Sequence, residues 1–369
     1  MPEAPTEEPV AAEAAGPAVV SAVVGRASVP AVWPPAELLA AAVDALHNPG
    51  LVVIAGAPGT GRTGVLKRLG ESFRGPVFSG GALAMLRGVP ALPLSRAVRV
   101  RLPSHEAPLL AEAVRSRVRH GLLLLDDLQW ADPLTVAALP AIAEHCRIVV
   151  TLRTPHRLPG DAERALRAAA DRSGAWLQMP PMPADAAAAL VRQLAPSASP
   201  TVVADLVRRA GGVPLAVVAL AKHVAQGGTP RDGGDGLDKG LAYTVAGALA
   251  DLTRPARTAM AALGLLGRPV TATVLGEGLT ELVETGLVEL TDGVAAPVSP
   301  YTAEVAAGLL DTAERAALHR RLATLVPPRE AARHLAAAGA AAEAYQVAVA
   351  AAAAAESSGG PGRAAAARL

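Results

Sequence analysis

Gly56-Ala57-Pro58-Gly59-Thr60-Gly61-Arg62-Thr63 is the stretch whose residue types and spacing could do chemistry. It fits the phosphate-loop pattern G-x-x-x-x-G-K-[ST] at every place except the lysine, where Arg62 stands. The glycines allow successive backbone N–H groups to curl around phosphate oxygens. The N-terminus of a following helix adds positive partial charge. Thr63 would offer its hydroxyl to Mg2+. Arg62 keeps the positive charge, but as a wide planar fork rather than a compact point charge, so it is expected to crowd the loop or point outward. Lys67 does not replace the missing lysine, because five residues along a helix place it roughly 7.5 Å further on and about 140° around.

A second candidate is the run LLLLDDLQWAD. A buried strand that delivers acids at its C-terminal end puts them where α/β sheets place ligand chemistry. Asp126 is the candidate for Mg2+, directly or through water, and Asp127 the candidate to orient or deprotonate an attacking water. Trp130 reads as a packing residue, and Asp132-Pro133 as an N-cap and first helical residue. Arg153 follows the run RIVVTL. Two readings stay open for it, a sensor of a terminal phosphate and a solvated arginine after a strand. His105, His120 and His145 lack metal-ligand spacing.

These residues need elements to hold them. LVVIA before the loop, Pro76 to Phe78, Gly121 to Leu125, Arg147 to Leu152 and a weaker Ala175 to Met179 have strand character. Helical patterns separate them, including one from Glu37 to Asn48 and one from Thr63 stopped by Gly70. The alternation predicts an α/β fold with a parallel sheet over residues 31–180. Residues 181–240 read as a helical lid and linker, broken at Gly211-Gly212-Val213-Pro214 and again in the Gly/Asp loop from Gly227 to Gly240. Over 241–326, short helices precede two strand-like runs around Asp292-Gly293, a hairpin-turn signal that suggests a winged-helix-like module. Residues 327–369 read as a helical tail, with a helix pair around Gly339 and a linker from Ser357 to Gly362. Asp311 and Glu314 form an expected capping box. Residues 1–30, rich in Pro, Ala and Glu, read as disordered.

Composition narrows the classes. The 369 residues are 51% apolar but only 2% aromatic, so the cores must be built from Leu, Val and Ala. The formal net charge of +1 argues against a dedicated nucleic-acid or membrane-surface footprint. A basic stretch from Arg87 to Arg119 has no interleaved aromatics for base stacking. It reads as a solvated face or as an oligomer contact supplying an arginine in trans. The single cysteine, Cys146, allows no intramolecular disulfide. No apolar run reaches the roughly 18 residues of a membrane span, and the acidic N-terminus is unlike a secretory signal. A cytoplasmic protein with no membrane partner is expected.

The series AVWPPAEL, GAPGTGRT, LLLLDDLQWADP, VTLR, GGVPLAV, TGLVEL and ERAALHRRLA resembles the STAND-class P-loop ATPases of AAA type, in particular the large ATP-binding LuxR-type bacterial regulators. The likeness spans roughly residues 30 to 350. It implies ATP or ADP with Mg2+, the metal at Thr63 and Asp126, the hydrolytic water at Asp127 and the phosphate sensor at Arg153. It also implies a contact from Pro214 to the nucleotide base, and a helical platform for repeats that receive an unknown protein or small-molecule signal. The chain departs from the family at Arg62 and at Trp33-Pro34, where Gly-Arg is usual. It also ends where the repeats would begin, without the family's helix-turn-helix. Three readings follow: a nucleotide-dependent conformational or assembly switch with slow hydrolysis, a pseudo-ATPase scaffold, and a truncated transcriptional regulator.

Overall fold

The computed structural model describes residues 33–154, 156, 158–229, 245–247, 249–250 and 252–357. The N-terminal segment expected to be disordered and most of the two predicted linkers lie outside these residues. The first part alternates strands and helices: α1 (Ala36–Ala45), β1 (Gly50–Gly56), α2 (Arg62–Ser72), β2 (Val77–Gly81), α3 (Leu92–Val98), α4 (Ala107–Val118), β3 (Leu122–Asp126), α5 (Pro133–Ala143), β4 (Arg147–Arg153), α6 (Gly160–Ser173) and β5 (Gly174–Gln178). The five strands form one parallel sheet in the order β2-β3-β4-β1-β5. This is the α/β, P-loop NTPase-like fold that the alternation predicted.

Burial on both faces explains the uninterrupted apolar runs. Val52, Ile54, Leu122, Leu124 and Val149 point to one core, and Leu51, Val53, Leu123, Leu125, Ile148 and Val150 to the other. The register then decides the chemistry. Gly56 lies opposite Arg153, and Gly81 opposite Asp126, so the phosphate loop and the strand-end acids reach one edge of the sheet.

One expectation fails here. Gly70 does not stop the helix, since α2 runs through it to Ser72. A Cβ at Gly70 would meet Leu124 Cδ1 at 2.9 Å, so the glycine serves close helix–sheet approach instead.

Three helices follow, α7 (Ala184–Leu194), α8 (Pro200–Ala210) and α9 (Pro214–Ala225). They share a continuous core with α2 and with the next unit. That unit comprises α10 (Arg254–Leu266), β6 (Val270–Thr271), α11 (Ala272–Leu275), α12 (Gly278–Glu284), β7 (Val288–Thr291), β8 (Val294–Pro297) and α13 (Pro300–Gly308). Its strands form an antiparallel sheet in the order β6-β8-β7. Asp292 and Gly293 both have positive φ, 51° and 76°, as a two-residue hairpin turn requires.

The helices α14 (Thr312–Ala323), α15 (Pro328–Ala337) and α16 (Ala341–Ser357) close the described chain. Many of these helices start in the same way, with a capping oxygen before a proline in the first turn. Ser199, Thr253 and Ser299 cap α8, α10 and α13, while Asp311 accepts the Glu314 N–H at 2.7 Å for α14. Among the described residues no helix is long and apolar enough to cross a membrane.

Candidate functional site

The phosphate loop sits between β1 and α2, as the motif demands. Gly59 and Gly61 have φ of 77° and 94°, values that favour glycine. Thr60 turns its hydroxyl inward to donate to the Ala57 carbonyl at 2.8 Å. Helix α2 starts at Arg62 with no side-chain cap, leaving its N-terminal N–H groups for an anion.

Arg62 neither crowds the loop nor points outward. Its guanidinium turns under the loop and across the sheet edge. There it donates to the carbonyls of Gly56 and of Leu152, the latter at 3.2 Å, and lies 3.7 Å from Asp127 Oδ1. Only 10% of the side chain is exposed. Burial, opposed by the charges of Asp127 and Asp126, brings its pKa down to about 10. It remains charged at neutral pH. Lys67 plays no part, being exposed and paired with Glu71 at 3.6 Å.

Asp126 stands at the end of β3. Its carboxylate accepts from the Thr151 hydroxyl, from the Asp127 N–H at 3.1 Å and from Thr63. The proposed metal pair, Thr63 and Asp126, is therefore brought together. Burial first, and then the charge of Asp127, raise the Asp126 pKa above its usual range; the hydrogen bonds from Thr151 and Thr63 and the nearby Arg62 partly offset this. Asp127 follows with a left-handed backbone, φ 55°, and a half-exposed carboxylate.

Two polar residues that sequence reasoning did not single out organise these acids. Thr151, fully buried in β4, donates to Asp126 and accepts the Asp127 N–H at 2.8 Å. Gln129 donates through Nε2 to Asp127 Oδ1 at 2.9 Å, and its Oε1 accepts the Arg153 N–H at 3.0 Å. Thr151 left a signal, because a lone hydroxyl in an apolar buried strand needs a partner.

Arg153 is buried rather than solvated. Its guanidinium lies 4.9 Å from the Trp130 ring centroid, and its Nη1 would meet a Cβ added at Gly247. Trp130 thus packs, as expected. Asp132 caps α5 through Thr135, at 3.0 Å to its N–H and 2.6 Å to its hydroxyl. In the basic stretch, Arg115 pairs with Glu112 at 2.6 Å and Arg96 donates to the Gly81 carbonyl at 2.9 Å.

The loop is also covered. Trp33, 2% exposed, donates from its indole to the Thr60 carbonyl at 3.0 Å and abuts Gly61. From α9, Leu215 donates its N–H to the Gly59 carbonyl at 3.2 Å. Pro214 is buried at the first position of α9, directly beside that contact. Gly211 and Gly212 carry the connection onward. A Cβ at Gly211 would fall 1.9 Å from the Val298 carbonyl, and Gly212 accepts the Met182 N–H at 2.7 Å.

No protein-family model matches the chain, and no curated protein is detectably similar to it. Solved structures give partial likenesses. The Walker-type ATPase of Pyrococcus abyssi is 13% identical, with a TM-score of 0.47 over 74% of this chain and 95% of that one. A STAND protein with a tetratricopeptide repeat sensor from Pyrococcus horikoshii is 15% identical, with a TM-score of 0.33 over 82% of this chain and 47% of that one. The ORC2 protein of Aeropyrum pernix is 16% identical, with a TM-score of 0.42 over 73% of this chain and 91% of that one. In the chain itself a glycine-rich loop, an uncapped helix start and two strand-end carboxylates meet at the C-terminal edge of a parallel sheet.

Proposed function

We propose that the chain is a nucleotide-dependent switch of STAND type that binds ATP or ADP weakly and hydrolyses ATP slowly. The observation that carries this reading is the convergence of the Gly56–Thr63 loop, Thr63 on Asp126, and the Leu215 N–H on Gly59. The phosphate loop touches the acid on one side and α9 on the other. The loop glycines and the uncapped start of α2 suit a polyphosphate. Thr63 and Asp126 supply the hard oxygens that Mg2+ takes alongside phosphate oxygens, a set that needs no larger protein cage. Mg2+, when bound, would neutralise charge on the phosphates.

The chain's own residues set the pace. Arg62 donates its hydrogen bonds to the Gly56 and Leu152 carbonyls and is ion-paired with Asp127. To serve a phosphate it must leave them, and breaking buried charge-assisted hydrogen bonds opposes binding. Asp127 is the residue to orient water, yet Arg62 and Gln129 engage it, so turnover is slow. Arg153 would sense phosphate only indirectly, through Gln129 and the segment 245–250. The lid contact at Gly59 gives nucleotide a route to α9 and, through Gly211, to the α10–α13 unit. That unit reads as winged-helix-like, and the helices after it as the start of a repeat platform.

Calorimetry with ATP and ADP in Mg2+ tests the reading. Asp126→Ala should weaken Mg-ATP more than metal-free ADP, and Asp127→Ala should spare binding while abolishing turnover. Equal loss of binding in both variants would mean the pair is misassigned. The tie between Arg62 and Asp127 favours a second reading, a scaffold without nucleotide chemistry, for which neither nucleotide would bind.

A further inference from the structure

Away from the phosphate loop, a cavity of about 580 Å3 opens between α8, the C-terminal end of α10, β8 and α13. Its size is that of a small-molecule site. Four guanidinium groups line it from three separate stretches of chain: Arg208 and Arg209 at the end of α8, Arg268 after α10, and Arg315 on α14. The lining carboxylates are Asp205 and Glu304. Positive charge therefore outweighs negative in the wall.

The pairing of each arginine is informative. Arg208 is held by Asp205 within its own helix. Arg268 turns to Glu330, outside the cavity, at 2.6 Å. Arg315 donates to the Ala307 carbonyl at 3.0 Å. Arg209 is the buried one, with 8% of its side chain exposed. One terminal nitrogen is paired with Glu304, and the guanidinium lies 5.8 Å from the Tyr301 ring centroid. Its other terminal nitrogen, Nη1, is buried with no hydrogen-bond acceptor. An unsatisfied buried donor on a charged group is costly, and a guanidinium fork is shaped to take two oxygens of one carboxylate or phosphate.

We propose that this cavity binds a small organic anion bearing carboxylate or phosphate groups, held by Arg209, Arg268 and Arg315. Such a ligand, met by Arg268 and Arg315 at the exposed and half-buried rim, neutralises the excess charge of the wall. Gly267, in the lining, leaves space open, since a Cβ there would meet nothing within 4 Å. The site lies where the lid meets the following unit, since Ser299, at the start of α13, donates to the Arg209 carbonyl at 3.4 Å.

The test is calorimetry on the full chain, free of Mg2+ and at constant ionic strength, with citrate as the carboxylate probe and pyrophosphate as the phosphate probe. Arg209→Met strips Glu304 of its partner and perturbs folding, so the deciding variants are Arg268→Ala and Arg315→Ala, at exposed and half-buried positions. Their folding is checked by circular dichroism. Saturable binding of citrate, pyrophosphate or both, weakened about tenfold by each variant, supports the site. The probe that binds names the chemistry. No saturable binding of either anion at millimolar concentration, or binding that both variants leave unchanged, as pyrophosphate seated on the phosphate loop would be, overturns it. Neither outcome touches the nucleotide titration, whose residues lie elsewhere.

Discussion

Arg62 shows how one substitution changes a site without removing its charge. A lysine in the phosphate loop is a point charge on a flexible stem, whereas the Arg62 fork finds two carbonyl acceptors and an ion-pair partner at the sheet edge and stays there. Arg62→Lys should therefore raise nucleotide affinity and turnover, each by about tenfold, measured by calorimetry and phosphate release. Unchanged values would show that Arg62 is not what limits the site, and the Trp33 cover over Thr60 and Gly61 would be the next cause to test. Asp126 allows a test by pH. Its folded pKa is raised, so its contribution to stability is fully present below the unfolded value of 3.8 and is lost as pH rises through the folded value. Asp126→Asn removes that loss while keeping an oxygen acceptor for Thr151. Without nucleotide, the variant should melt higher than the parent at neutral pH, with the gap narrowing as pH falls; a gap independent of pH would contradict it.

Between elements, glycines mark the joints. Gly211 ends α8 in a left-handed conformation, φ 58°, against the Val298 backbone, whereas Gly293 has φ 76° with open space around it. Gly293→Ala should cost about 1 kcal/mol, the backbone penalty alone. Gly211→Ala adds a collision with backbone that cannot rotate away, and should cost roughly 3 kcal/mol or more in chemical denaturation. Similar losses in the two variants would mean that the lid and the α10–α13 unit separate easily. The strands of the parallel sheet were legible at this scale because buried parallel strands appear as apolar runs, and the start of α5 because Asp132-Pro133 is a cap followed by a first-turn proline. Gly70 was misread for a physical reason: a glycine under a sheet residue and a glycine ending a helix look alike until the sheet is in place.

At the scale of the molecule, charge separates the rival functions. From Thr271 to Val298 the chain carries Glu277, Glu281, Glu284, Glu289 and Asp292 and neither Lys nor Arg. Glu281 is occupied in receiving the Thr253 N–H at 3.0 Å, which ties α12 to the start of α10. An acidic hairpin repels phosphate backbones, so the full chain should not shift duplex DNA in a mobility assay at physiological salt. A clear shift would revive the regulator reading. Assembly should respond to nucleotide, with arginines of the basic stretch reaching a neighbouring copy. Light scattering should give a larger mass with a non-hydrolysable ATP analogue than with ADP or no nucleotide. The same mass in all three states would count against a homo-oligomeric switch.

Sequence alone determined the class of sheet, the place of the phosphate loop and the identity of the acids, because each depends on local pattern: apolar runs, glycine spacing, a strand ending in Asp-Asp. It also determined that Lys67 could not substitute, since helix geometry is local. Tertiary structure decided what those groups do to one another. The direction of Arg62 depends on carbonyls 6 and 90 residues away. The raised pKa of Asp126 depends on burial and on the charge of Asp127, and the hydroxyl of Thr151, 25 residues on, partly offsets it. Arg153, open to two readings in sequence, is settled into burial over Trp130 by the pairing of β4 with β1 and β3. The arginine-lined cavity has no sequence signature at all, because its walls come from α8, α10, β8, α13 and α14, and only packing brings their charges together.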